Sequence, residues 1–257
     1  MGFLLSKQYQ RSALLRAFAL LSQTVLWLGR GSIRRRRQQF IEQLFEMGNR
    51  SILFITVTLG TLGMISVFQV LIQVDRILPE YSVVGPAFLL TMVREFAPTI
   101  AGLMIATRVG SGIAAEIGSM VVTEQVDALR MCNAEPVDYL VAPRFAACLL
   151  QTVLLTMYGG VVSVVAGGLV ANLVWGIPYE VFFRIDNITY SDFLAGFLKS
   201  VAYGIAIPIA AAQAGLETEG GSEGVGTATT RAVVNASFCV VVLDFILSGF
   251  AFFFLFD

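Results

Sequence analysis

The sequence predicts an all-α integral membrane protein that crosses the bilayer five times. Three observations carry this. Of the 257 residues, 56% are hydrophobic. Only 14% are charged, where a soluble domain carries about a quarter. Mean hydropathy is +0.78, and the apolar residues lie in long blocks, not at alternating or helical-face spacing. A net charge of −1 leaves no basic surface for nucleic acid. There is no histidine, which removes the commonest general base and metal ligand together. Cys132, Cys148 and Cys239 are far apart and form no CxxC. Neither a zinc site nor a disulfide framework is indicated.

The segment from Arg11 to Gly29 is apolar but short, and Arg16 interrupts it. A span needs about 20 apolar residues, so the segment reads as a helix lying in the membrane interface, with Trp27 near the headgroups. An additional span is the competing reading. Arg34, Arg35, Arg36 and Arg37 follow in a row. They form either a solvated tether or a membrane-surface anchor, and beside the first span they place this end in the cytoplasm.

Span one is read from Ser51 to Val74, and Asp75, Arg76 and Glu80 mark an outer turn. Span two runs from about Ser82 to Ala106, followed by a polar stretch from Thr107 to Arg144. Span three runs from about Phe145 to Trp175 and is long enough to tilt or project. Gly159, Ser163, Gly167 and Ala171 recur in it every four residues. That small-residue stripe suits close helix packing, within one chain or between two. An outer loop carries Pro178, Glu180, Arg184, Asp186 and Asp192. Span four runs from about Phe193 to Ala212. Gln213 to Arg231 reads as a glycine-rich loop, and span five as Ala232 to Phe256. With the N-terminus cytoplasmic, five spans put the C-terminus outside. Arg50, Arg108, Arg130, Arg144 and Arg231 then fall inside with the arginine run, against Arg76 and Arg184 outside. The bias agrees with the count.

Four charges fall within these spans: Arg94, Glu95, Lys199 and Asp244. Each costs about 2.5–3.5 kcal/mol at the bilayer centre unless partnered or wetted. Two readings stand. The charges line a polar cavity or hold a headgroup, or they form a structural network between helices, such as Glu95 with Lys199.

The stretch VTEQVDALRMCNAEP reads as a short helix outside the membrane. Thr123 is the expected N-cap, Glu124 and Asp127 fall in the first turn, and Arg130 near the end. Asn133 suits the left-handed position beyond it, before Pro136. Val122, Val126 and Leu129 share one face. Such a helix either docks a soluble partner or lies on the protein's own spans. The stretch GGSEGVGTATT lacks the Walker lysine and a preceding strand, so it is no phosphate loop. No catalytic group, metal site or cofactor site is read in this chain, and any ATP hydrolysis, with its ATP and magnesium, belongs to a partner.

REFAPTIAGLMIATRVGSGIAAEIGSMVVTEQVDALRMCNAEPVDYLVAPR (Arg94 to Arg144) resembles the signature region of MlaE/YrbE-type permeases. FLKS (Phe197 to Ser200), SEGVGTATTRAVV (Ser222 to Val234) and VLDF (Val242 to Phe245) fit as well, so the resemblance covers nearly all of the chain from Ser51 onward. It implies one permease domain over residues 1–257. Residues 1–50 would form the N-terminal region, with an interfacial elbow helix. Residues 51–257 would form a five-helix bundle, with a cytoplasmic coupling helix at about 116–131. It further implies a homodimer in a bacterial inner membrane, with a separate ABC ATPase and a periplasmic MCE-domain protein. A STAS-domain protein joins the ATPase in the proteobacterial complex. The cargo is phospholipid, moved between the inner and outer membranes.

By motif, the resemblance places Arg94, Glu95, Lys199 and Asp244 at the family's in-membrane polar site. It places Glu116, Thr123, Glu124, Val126, Asp127, Leu129 and Arg130 on the ATPase-coupling segment. The turn residues Cys132 to Glu135 depart from the family pattern. The alternative function is a proton-coupled secondary transporter using the same in-span charges. Internal inverted repeats would favour it, and none is evident.

Overall fold

A computed structural model describes residues 13–77, 81–184 and 189–254. The expectations at Arg11, Glu80 and Asp186, and at the last residues of span five, lie outside these. The described residues are overwhelmingly helical, with no strand among them. Five helical stretches are long and apolar enough to span a membrane: Arg37–Arg76, Tyr81–Val122, Val137–Trp175, Tyr190–Leu216 and Gly221–Phe253. The fold class and the span count stand as predicted.

In chain order, α1 is Ala13–Gly29, α2 is Ser32–Arg35 and α3 is Arg37–Ile77. The second stretch is built from α4 (Val84–Thr91), α5 (Ala97–Ile105) and α6 (Ser111–Val122). These are joined by π-helical turns at Met92–Phe96 and Ala106–Gly110. Next come α7 (Gln125–Met131), a third π turn at Val137–Val141, and α8 (Ala142–Trp175). Then follow α9 (Tyr179–Phe182), α10 (Tyr190–Leu216) and α11 (Gly221–Phe254). The helix α1 is apolar and shorter than the five spans.

Several boundaries differ from the sequence reading. The second stretch does not end at Ala106 but stays helical to Val122. Beyond Ala106 its composition is polar, yet the acid within it, Glu116, is paired with Arg144. Thr123 is not an N-cap. It ends α6, and its hydroxyl donates to the Ser119 carbonyl at 2.8 Å. Glu124, at φ 60°, separates α6 from α7. The segment 116–131 is therefore two helices, with Glu116 on α6. Asn133 takes the left-handed position as expected, at φ 56°.

The glycine-rich stretch 213–231 is also mostly helix. The helix α10 reaches Leu216 and α11 starts at Gly221, so the connection spans only Glu217 to Gly220. Small residues decide this. Gly224, Ala228, Ala232 and Ala236 recur every four positions and are all buried, a spacing that lets helices approach closely. A side chain at Gly224 would collide with the Glu219 carbonyl, so the tight connection requires glycine there.

The chain divides into two compact units. Unit 1 gathers 13–47, 105–150 and 204–239. Its core is rich in alanine, including Ala114, Ala142, Ala147, Ala211, Ala232 and Ala236. Unit 2 gathers 48–77, 81–104, 151–184, 189–203 and 240–254. Its core is larger-grained, with Val67, Leu71, Phe88, Met92, Ala171 and Phe182 packed together. The small-residue stripe of α8 lies here and faces α3. A side chain at Gly159 would strike Leu59 and Ile55, and one at Gly63 would strike the Ser163 backbone. The stripe therefore serves packing within one chain. Many large apolar side chains, such as Leu53 and Phe245, remain exposed, as suits helices whose solvent is lipid.

Candidate functional site

The in-span charges meet in unit 2. Lys199, on α10, is 1% exposed. Its ammonium donates to Glu95 Oε2 at 2.5 Å and to Ser248 Oγ at 2.7 Å. It lies 3.0 Å from Asp244 Oδ1. That same Asp244 oxygen accepts from Tyr203 at 2.7 Å and from Thr99 at 2.9 Å. Four of the six residues come from α10 and α11, Thr99 comes from α5, and Glu95 comes from the π turn before it. Three polar partners offset the cost of burying the ammonium.

Exposure is unequal across the cluster. The Glu95 side chain is 41% exposed and that of Asp244 23%, against 1% for Lys199. The cation is interior, and the carboxylates form the cluster's open side.

Arg94 does not join this cluster. Its Nε lies 3.3 Å from Asp192 Oδ1, and the Thr189 amide donates to the other Asp192 oxygen at 2.8 Å. Asp192 was legible only as an outer-loop acid, although it is buried.

Adjacent residues on a helix point about 100° apart, which lets Arg94 and Glu95 find different partners, and a π turn sets where they sit. In both Met92–Phe96 and Val137–Val141 the turn is followed by Ala-Pro. The amides of Ala97 and Ala142 bond to the carbonyls five residues back, on Met92 and Val137. Proline has no N–H to donate, and its ring displaces the carbonyl four residues before it. A widened turn absorbs that conflict, and such turns are enriched at functional sites. The freed Val93 carbonyl lies against Gly196 of α10, where any side chain would collide with it. The motif A-P inside an apolar run was the available signal. It went unused because proline in a span reads by itself as a simple kink.

The predicted ATPase-coupling residues lie in unit 1, where the structure separates them. Glu116 accepts from Arg144 Nε at 3.1 Å and Nη2 at 2.9 Å, which ties α6 to α8. On α7, Val126 is buried and Leu129 half-buried. Asp127 and Arg130 pair on the exposed face at 2.7 Å, and Met131 is 89% exposed.

The arginine run also divides. Arg34 and Arg37 are exposed. Arg36 reaches Asp138 Oδ2 at 3.1 Å and stacks over Tyr139 at 4.1 Å, and Arg35 lies 3.8 Å from Asp138. Half of the run is therefore a structural contact. Arg16, read as an interruption, pairs with Glu217 at 3.1 Å. Nearby, a cleft of about 290 Å³ is lined by Arg16, Arg231, Glu217 and Glu219. Its charges balance. No cluster of three metal-capable side chains occurs among the described residues.

The profile of the family described as permease MlaE matches residues 40–250. The chain belongs to the MlaE permease family. A probable ABC transporter permease protein of Synechocystis sp. is 38% identical over 253 residues, covering 96% of this chain and 93% of that protein. One from Rickettsia typhi is 33% identical, covering 82% of each. The protein TRIGALACTOSYLDIACYLGLYCEROL 1, chloroplastic, of Arabidopsis thaliana is 33% identical, covering 90% of this chain and 65% of its own length. This permease is thus a multi-pass membrane subunit of the ABC transporter kind, in which the permease is not itself the catalytic part. Membership implies an ATPase partner.

Proposed function

We propose that this permease moves phospholipids between the inner and outer membranes of a bacterial envelope, powered by a separate ABC ATPase that binds ATP and magnesium. The observation that carries the reading is the cluster of Lys199, Glu95 and Asp244 within membrane-length helices. It offers polar groups beside extensive apolar surface, as a lipid with head and tails requires. The name of the Arabidopsis relative, which is that of a glycolipid, supports a lipid cargo.

In this reading the chain works as a homodimer in the inner membrane, with its N-terminus cytoplasmic and its C-terminus periplasmic. The exposed face of α7 and the end of α6 dock the ATPase. An MCE-domain protein receives or delivers lipid on the periplasmic side, and a STAS-domain protein accompanies the ATPase. The motor's free energy enters through α7, because a ligand shifts an equilibrium only through differential contact.

The test is reconstitution with the cognate ATPase in vesicles, following a labelled phospholipid. ATP-dependent transfer that stops when the ATPase is inactivated supports the proposal. Transfer that survives ATPase inactivation and collapses with the proton gradient establishes the proton-coupled alternative instead.

A further inference from the structure

We infer that the open side of the Lys199 cluster selects phospholipids whose headgroup ends in a primary ammonium. The inference rests on the lipid-permease reading above and adds the headgroup class. A lysine inside a lipid transporter suggests at first a partner for the lipid phosphate. The geometry excludes that role. An ammonium has three N–H donors, and Lys199 has three close acceptors, Glu95 at 2.5 Å, Ser248 at 2.7 Å and Asp244 at 3.0 Å. It is also 1% exposed. No donor and no surface of Lys199 is left for a phosphate.

What the cluster presents outward are acceptors. A carboxylate has about four acceptor positions over its two oxygens. In Glu95, Oε2 takes Lys199 and lies 3.1 Å from Ser248, while Oε1 has only a long contact of 3.5 Å to the same hydroxyl. Asp244 takes Lys199, Tyr203 and Thr99 on Oδ1, so both carboxylates keep acceptor capacity, and Glu95 is the one that presents it outward, at 41% exposed against 23%. The cluster holds two carboxylates to one cation. A second cation at Glu95 completes both the charge and the hydrogen bonding, and a primary ammonium does so with donors that a quaternary one lacks. The π turn and the close approach of Val93 to Gly196 fix where Glu95 sits, so the acceptor is positioned before the lipid arrives.

The test uses the full-length permease, equilibrated with vesicles holding equal amounts of phosphatidylethanolamine, phosphatidylcholine and phosphatidylglycerol. Retained lipid is read by native mass spectrometry. Enrichment of the ethanolamine lipid by about tenfold, the equivalent of one charge-assisted hydrogen bond, is expected. Glu95→Gln should abolish the enrichment, and Glu95→Asp, which keeps the charge and the fold's ion pair, should retain part of it. Equal retention of the choline lipid overturns the donor requirement. Equal or greater retention of the glycerol lipid overturns the headgroup assignment while leaving the lipid-permease reading intact. Soluble phosphoethanolamine retained as readily as the lipid overturns a lipid source. No retained phospholipid of any class overturns both readings.

Discussion

The two units handle charge in opposite ways. In one cluster of unit 1, two cations share one anion, with Arg35 and Arg36 converging on the single carboxylate of Asp138. Elsewhere in the unit Arg16 pairs with Glu217 and Arg144 with Glu116. In the cluster of unit 2 the ratio is reversed, with Glu95 and Asp244 converging on the single ammonium of Lys199. The choice of residue follows. Unit 1 uses arginine, whose planar fork can bridge a carboxylate and a backbone carbonyl at once, as Arg144 does with Glu116 and Leu140. Unit 2 uses lysine, a point charge that three acceptors can enclose. The first arrangement fastens segments distant in sequence. The second buries a cation and leaves acceptors open.

The largest expected effect would break this contrast at its centre. Lys199→Met leaves Glu95 and Asp244 facing one another without their shared cation. Thermal unfolding in detergent should show a loss of about 3 kcal/mol, because breaking a buried ion group strands the remaining charges. Adding Asp244→Asn should restore part of it. A Lys199→Met protein as stable as the parent would mean that the carboxylates never depended on the lysine.

The next effect sharpens the part played by backbone. Gly196→Ala forces a methyl into the Val93 carbonyl and should cost about 1–3 kcal/mol, the usual range for overpacking. The same change at Gly226 in unit 1, where a methyl would meet nothing within 4 Å, should be neutral or gain up to about 1 kcal/mol, since alanine is the better helix former. Equal responses at both glycines would remove the case for a fixed π turn.

Smaller still is the effect expected at Asp138. Asp138→Asn should cost about 1 kcal/mol, as Arg35 and Arg36 are partly solvated and exposed pairs contribute little. Trypsin should then cut faster after these arginines, read by mass spectrometry. An unchanged cleavage rate would return the arginine run to the solvated-tether reading. The smallest effect belongs to Glu124, held at φ 60°. Glu124→Gly should relieve left-handed strain and raise stability by less than about 1 kcal/mol.

The five spans were legible because burial in lipid demands uninterrupted apolar length, a signal that survives without knowledge of neighbours. Glu95, Lys199 and Asp244 were legible as a group because ionised side chains within a span need partners. The failures share one cause. Span two was ended at Ala106 with a polar stretch beyond it, and Gln213 to Arg231 was read as a glycine-rich loop, yet the second stretch stays helical to Val122 and α11 begins at Gly221. Their small residues are favourable only once another helix lies against them, which no local pattern records. Arg94 was grouped with Glu95 as an in-span charge of the same motif, and Asp192, its partner, sits at the start of another helix, 98 positions further along the sequence. Thr123 was made a cap by residue type alone, and the positive φ of Glu124 that overrules it has no sequence signature.

The π turn at Met92–Phe96 carries one residue more than an α-helical turn, and in the language of crystals it is a dislocation. Such a defect glides by exchanging one backbone hydrogen bond at a time. Each step turns the residue it passes by about 100° while both ends of the helix stay in place. Pro98 has no N–H to exchange, so it pins the defect on one side and leaves glide open only toward Thr91. Arg94 and Glu95 sit within the turn itself.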